Sequence, residues 1–208
     1  MHEGKLIVFA GGEGCGKSTC MNNLKKVLPK EQFIFTREPG GTPSAEIIRD
    51  FFLHNELSAF EELLAVKLTR AIHFREKVLP ALQKGVHVIS DRCHEATWAY
   101  QVVAKSNGEL RELFSQIDEH SRLGKNVDLW IDFRIDVNTA LKRRMDEGTK
   151  VNIFDARPLE YHEKVREGLD DFFKQHKQRV FEVNANLPKE KLANTVHNKL
   201  QSFLQLSK

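Results

Sequence analysis

Residues Gly11 to Ser18 read GGEGCGKS, a full match to the pattern G-x-x-x-x-G-K-[ST]. The apolar run Leu6 to Ala10 precedes it, and a helical pattern begins near Lys17. This order is highly constraining, because the motif works only where a strand end and a helix start meet at one glycine-rich loop. Glycines let the backbone wrap closely, so successive amide N–H groups and the positive end of the helix form an anion cradle. Gly11, Gly12, Glu13, Gly14, Cys15, Gly16, Lys17, Ser18 and Thr19 are therefore the expected binding residues for nucleotide phosphates. Lys17 is expected to bridge the β- and γ-phosphates, and the Ser18 hydroxyl to help coordinate Mg²⁺.

Apolar runs of strand length recur at Leu6 to Ala10, Phe33 to Phe35, Val86 to Ile89, Leu129 to Phe133 and Val180 to Val183. Helical patterns cover roughly Lys17 to Leu28, Ala45 to His54, Glu61 to Leu82, Glu109 to Arg122, Val137 to Glu147, Leu159 to His176 and Lys189 to Leu206. Strands alternating with helices imply an α/β protein with a parallel sheet covered on both faces. Ligands in such sheets bind beyond the carboxyl ends of the strands, which selects the glycine loop, Arg37, Asp91 and Arg92. Gly148 to Pro158 is polar and weakly periodic and carries Lys150, Asp155 and Arg157, a composition suited to a mobile lid.

The 208 residues, 40% of them hydrophobic, fit one domain with a sizeable core. A formal charge of +3, with both signs interspersed, does not suggest nucleic acid or a membrane surface as partner. Basic residues here suit a small anionic ligand instead. Cys15, Cys20 and Cys93 are odd in number and lack metal-ligand spacing, as expected of reduced thiols in the cytoplasm. No signal peptide is read at the start, and no apolar stretch is long enough to span a bilayer.

Beyond the glycine loop, Asp91 is placed to hold Mg²⁺ or orient the attacking group, and Arg92 to grip a second phosphate bidentately. Arg37 lies in TREPGGT, a strand followed by a turn. Arg70 and His73 share one helix face; Arg70 could reach a base or phosphate, whereas a lone helical histidine reads as packing or solvated. Arg143 and Arg144 end a helix that leads into the lid stretch. They suit either the helix dipole or the charge that develops in phosphoryl transfer.

Taken together, GGEGCGKST, TREPGGT, Arg70 in LTRAIH, SDRCHEATWAYQ, DLWIDFRIDVNTALKR and HEKVREGL make the chain resemble the bacterial thymidylate kinases along nearly its whole length. The resemblance implies a three-layer P-loop kinase fold, with a five-stranded parallel sheet flanked by helices and a mobile lid at about 148–158. It also implies phosphoryl transfer from ATP to dTMP with Mg²⁺, giving dTDP for dTTP synthesis, and a homodimer. By position, Lys17, Asp91, Arg92, Arg143, Arg144 and Arg157 become candidate catalytic residues. Ser18 and Asp91 become candidate metal ligands. Glu13, Arg37, Val66, Arg70, Arg92, Thr97, Tyr100 and Gln101 become candidate substrate-binding residues. Gly14 resembles the subclass whose catalytic arginine comes from the lid.

The departures from the family pattern bear on specificity. Val66 stands where the family has a base-stacking phenylalanine, so the π-face is lost. Cys93 replaces a tyrosine, Ala96 a serine, and Ala10 an acid. The lid motif is reduced to about Asn152, Ile153, Phe154 and Asp155, without its arginine. Two other readings follow: the same reaction on dUMP or a modified pyrimidine nucleotide, or a nucleotide-dependent switch without transfer activity.

Overall fold

The computed structural model describes residues 3–146, 154 and 156–205. Five strands form one sheet: β1 (Leu6–Ala10), β2 (Phe33–Arg37), β3 (His87–Asp91), β4 (Leu129–Arg134) and β5 (Val180–Asn184). Their spatial order is β2-β3-β1-β4-β5, and every pairing is parallel. All five were legible as apolar runs, with ends displaced by no more than two residues.

β1 is buried along its whole length, which explains why it reads as a continuous apolar run rather than an alternating one. Leu6, Val8 and Ala10 face one core with Leu63, Val66, Val165, Leu169 and Phe172. Ile7 and Phe9 face the other, with Met21, Leu24, Leu192, Val196 and Leu200. The period-two alternation of side chains thus splits the core into two layers of packing around the sheet.

On the second face lie α1 (Lys17–Val27) and α9 (Lys189–Leu204), which contribute Met21, Leu24, Leu192, Val196 and Leu200. On the first lie α3 (Ala59–His73) and α8 (Leu159–Lys174). A full capping box between Ser58 and Glu61 starts α3. The single helix expected from Glu61 to Leu82 is interrupted: α3 passes into a π-helical turn, Phe74–Val78, before α4 (Leu79–Gln83). Pro80 has no N–H to donate and its ring crowds the carbonyl four residues back, and the wider turn lies directly before it.

Sequence periodicity predicts no helix between Ile89 and Glu109. The structure has α5 (His94–Thr97) continuing into a π-helical segment, Trp98–Lys105. His94 to Val102 are all buried, so the segment lacks the polar face that makes a helix visible by periodicity. It packs against α8 and carries Thr97, Tyr100 and Gln101. Further helices are α2 (Pro43–His54), α6 (Arg111–Ser121) and α7 (Val137–Asp146). Asp118 of α6 accepts from Lys67, from His94 (2.7 Å) and from Arg122 (3.0 Å), tying α3 and α5 together beneath the site.

Of the lid stretch, Phe154 and Ala156 to Pro158 are described. Gly148, Lys150, Asn152, Ile153 and Asp155 lie outside the described residues, as does Glu147.

Candidate active site

β1, β2 and β3 end side by side. Phe9 is in register with Asp91, and Asp91 with Arg37, so the residues following these strands share one edge of the sheet. The glycine loop turns from β1 into α1 at that edge. Gly16 caps α1 without any side-chain hydrogen bond, and the first turn holds no acid, which leaves its amides for an anion. Glu13 to Thr19 line a cleft of about 360 Å³, whereas Gly11 and Gly12 do not line it and instead hold Lys17 through their carbonyls. The Lys17 ammonium donates to the carbonyls of Gly11 (3.0 Å) and Gly12 (2.9 Å) and lies 4.0 Å from Asp91 Oδ1. A side chain at Gly14 is impossible: φ is +68°, and a Cβ would sit 1.9 Å from the Ala140 carbonyl oxygen of α7.

Asp91 Oδ1 is buried without a hydrogen-bond partner, and Asp91 and Ser18 both line the cleft. One carboxylate and one hydroxyl suit Mg²⁺, which takes few protein ligands and completes its shell with water and phosphate oxygens.

Across the cleft, three guanidinium groups converge. Arg37 pairs with Glu46 at 2.9 Å; Arg49 donates to the Pro39 carbonyl at 2.6 Å; Arg92 donates to Gly11 O at 2.9 Å and to Glu13 at 2.7 Å. Burial and the neighbouring Arg37 and Arg92 charges push Arg49 below its ordinary pKa, the signature of a crowded cationic site. Arg92 has a left-handed backbone, φ +68°, held by Phe9 O on its N–H and by the Ser90 hydroxyl on its carbonyl. The next amide, Cys93 N–H, donates to Glu95 Oε1 at 2.9 Å, and Trp130 Nε1 donates to Glu95 Oε2 at 3.1 Å. Burial pushes the Glu95 carboxyl up to about 7.

The inner wall is built from ion pairs between distant segments. Arg70 Nε donates to Glu38 at 2.6 Å and Nη2 to Thr97 Oγ1 at 2.8 Å, while Nη1 is buried with no protein partner. His73 joins Glu38 (3.1 Å) to Thr36 (2.7 Å). Burial alone would raise the Glu38 carboxyl, but Arg70 and His73 hold it down at about 2. His73 is thus buried and bonded rather than solvated. Val66, Cys93, Ala96, Tyr100 and Gln101 complete this wall with Phe52 and Phe154, whose rings stack with centroids 5.2 Å apart.

A sequence model of the family described as Thymidylate kinase matches residues 9–196. The chain belongs to the thymidylate kinase family. It is 35% identical to the thymidylate kinase of Halalkalibacterium halodurans over 192 residues, 89% of this chain and 90% of the relative. It is 34% identical to that of Clostridium novyi over 211 residues, 99% of this chain and all of the relative. The family acts on nucleotides with a nucleotide phosphate donor, and the five-stranded parallel sheet flanked by helices is its P-loop kinase fold.

The three arginines left as equals by the sequence are separated by the structure. Arg144 lines the cleft; Arg143 turns to the Ala185 carbonyl at 2.8 Å, because successive helical residues point about 100° apart. Arg157 lies over the Tyr161 ring, outside the cleft lining. Sequence reasoning missed Arg49, Glu38, Glu95, Phe52 and Phe154. Arg49 carried a usable signal, since it falls one helical turn after Glu46 behind TREPGGT. Phe154 is the one aromatic in the polar lid stretch.

Proposed function

We propose that this chain transfers the γ-phosphoryl group of ATP to dTMP, yielding ADP and dTDP. The observation carrying this reading is that the glycine-loop cradle and the Arg37, Arg49 and Arg92 cluster open on one cleft, in a chain of the thymidylate kinase family. Lys17 and the α1 N-terminus hold the donor phosphates, and the arginine cluster holds the acceptor phosphate, so that an acceptor oxygen attacks the γ-phosphorus directly. Ser18 and Asp91 would hold Mg²⁺, which neutralises charge on the donor phosphate oxygens when bound. Arg144 is the cation best placed for charge that develops during transfer, and Gly14 leaves room for the helix bearing it. Arg70 and Gln101 face the base, and the Phe52 and Phe154 rings supply aromatic area beside Val66.

ADP release is measured with dTMP, dUMP, dGMP, dCMP and AMP. Strongest stimulation by dTMP is expected, and stimulation by none of them would overturn the proposal. Preference for dUMP would favour the altered-acceptor reading.

The homodimer expectation is supported by an apolar stripe, Phe60, Leu64 and Leu68, exposed at helical spacing on α3 beside Ile47 and Phe51 of α2. Sedimentation of wild type and Leu64→Glu tests it, the variant shifting to monomer. The two cores share one sheet, which supports reading residues 1–208 as a single domain. Cys15, Cys20 and Cys93 are free, in keeping with the expected cytoplasmic setting, and no helix among the described residues is long and apolar enough to cross a membrane.

A further inference from the structure

Gln101 lines the acceptor side of the cleft, and its amide is not free to choose which end it presents. Nε2 donates to Glu62 Oε2 at 3.0 Å. Glu62 is buried on α3, and its other oxygen is taken by the Lys105 ammonium, which also donates to the Leu57 carbonyl. A carboxylate only accepts hydrogen bonds, so rotating the Gln101 amide by half a turn would set its oxygen against Glu62. The NH₂ group is therefore committed to Glu62, and the oxygen remains for a ligand.

One helical turn before Gln101, Thr97 receives Arg70 Nη2, and the Arg70 Nη1 group beside it is buried without a protein partner. The wall thus offers a fixed donor and a fixed acceptor. We propose that Lys105 and Glu62 form an orientation lock on Gln101 that makes the acceptor pocket selective for a base edge of the imide type, C=O beside N–H. This rests on the thymidylate reading above and assigns its base selectivity to two positioning residues that touch no substrate. An imide gives its carbonyl to Arg70 and its N–H to the Gln101 oxygen. Cytosine has an amino group and a bare ring nitrogen at the same positions, so it places donor against donor and acceptor against acceptor.

The test is the ratio of kcat/KM for dTMP over dCMP, measured in wild type, Glu62→Gln, Lys105→Met and Lys105→Arg. A site that hydrogen-bonds one pattern rejects the mismatched one strongly, so wild type should favour dTMP by about 100-fold or more. Glutamine at 62 can donate as well as accept, which releases the amide of Gln101. Glu62→Gln should narrow the ratio about tenfold, through a higher KM for dTMP and a lower one for dCMP, with kcat for dTMP within about threefold of wild type. Lys105→Met removes the cation that holds the second Glu62 oxygen, lets Glu62 turn away from Gln101, and should narrow the ratio in the same direction; Lys105→Arg keeps that cation and should hold the ratio at the wild-type value. A purely structural role would instead lower kcat for both acceptors together and leave the ratio at the wild-type value, which overturns the lock.

Wild type also decides without any variant. Turnover of dCMP, or of dTMP methylated at N3, within threefold of dTMP overturns the proposal. Failure to phosphorylate any pyrimidine monophosphate defeats the thymidylate reading itself, whereas good use of dTMP with an unchanged ratio in Glu62→Gln defeats only the lock.

Discussion

In the proposed transfer, the two halves of the cleft would bind phosphate by different means. The donor half is a single loop: backbone groups of consecutive residues, one lysine held by Gly11 and Gly12, and a helix start left uncapped. The acceptor half is assembled from side chains far apart in the chain, Arg37 at the end of β2 with Glu38 after it, Arg49 on α2, Arg70 on α3 and Arg92 after β3. A backbone cradle recognises any polyphosphate, because every residue carries the same amide. Side chains held in place by specific partners can select one acceptor. Generality is encoded locally, and selectivity is encoded by contacts at long range.

Substitutions should separate the halves, and the largest effect belongs to the donor side. Lys17→Ala should lower kcat roughly 10³-fold or more, since it removes the cation that would bridge the β- and γ-phosphates. Calorimetric dTMP binding should survive in that variant, and equal loss of dTMP binding would merge the two halves into one. Arg92→Ala is the acceptor counterpart. Loss of a charge-assisted bidentate contact, about 1.5–3 kcal/mol, should reduce kcat/KM for dTMP about 10- to 150-fold. The KM for ATP should hardly move; a larger effect on ATP would mean that the Arg92 contacts to Gly11 and Glu13 serve the donor loop instead. Phe154→Ala tests whether the lid ring belongs to the acceptor side. An aromatic contact is worth about 0.5–1.5 kcal/mol, so KM for dTMP should rise about two- to tenfold with little change in kcat.

The last effect is on stability rather than on rate. The folded-state pKa of Glu95, about 7, lies above the ordinary value of 4.5 because burial disfavours the charge. The folded state then holds a proton that the unfolded state releases, so this group's contribution to stability falls as pH rises from about 4.5 through about 7. Glu95→Gln should remove that decline. Denaturant unfolding at pH 5 and pH 8 should find the variant gaining on wild type at the higher pH, and a constant difference would mean that Glu95 is already ionised at pH 5. Because Glu95 braces the strained Arg92 turn, the same variant checks how much of the acceptor arginine's placement depends on it.

This contrast also explains what could be read from the sequence. The strands, the glycine loop and Asp91 were legible because apolar runs and one contiguous motif carry them. The segment from His94 to Lys105 was not, since burial on all sides erases helical periodicity. Arg70 was recognisable as a candidate, but its partner Glu38 lies 32 residues away, and Glu62 is 39 residues from the Gln101 it orients. Nothing local couples such pairs. Among the lid arginines, the sequence placed Arg143, Arg144 and Arg157 on equal terms. Only the direction in which α7 turns its side chains brings Arg144 to the cleft.

In the proposed reaction the two halves act on two substrates in one transfer. The direct measurement is the stoichiometry of ADP and dTDP formed from ATP and Mg²⁺, with and without dTMP. ADP should form at a rate that depends on dTMP, with one dTDP for each ADP. ADP release that is indifferent to dTMP, or unaccompanied by dTDP, would contradict it.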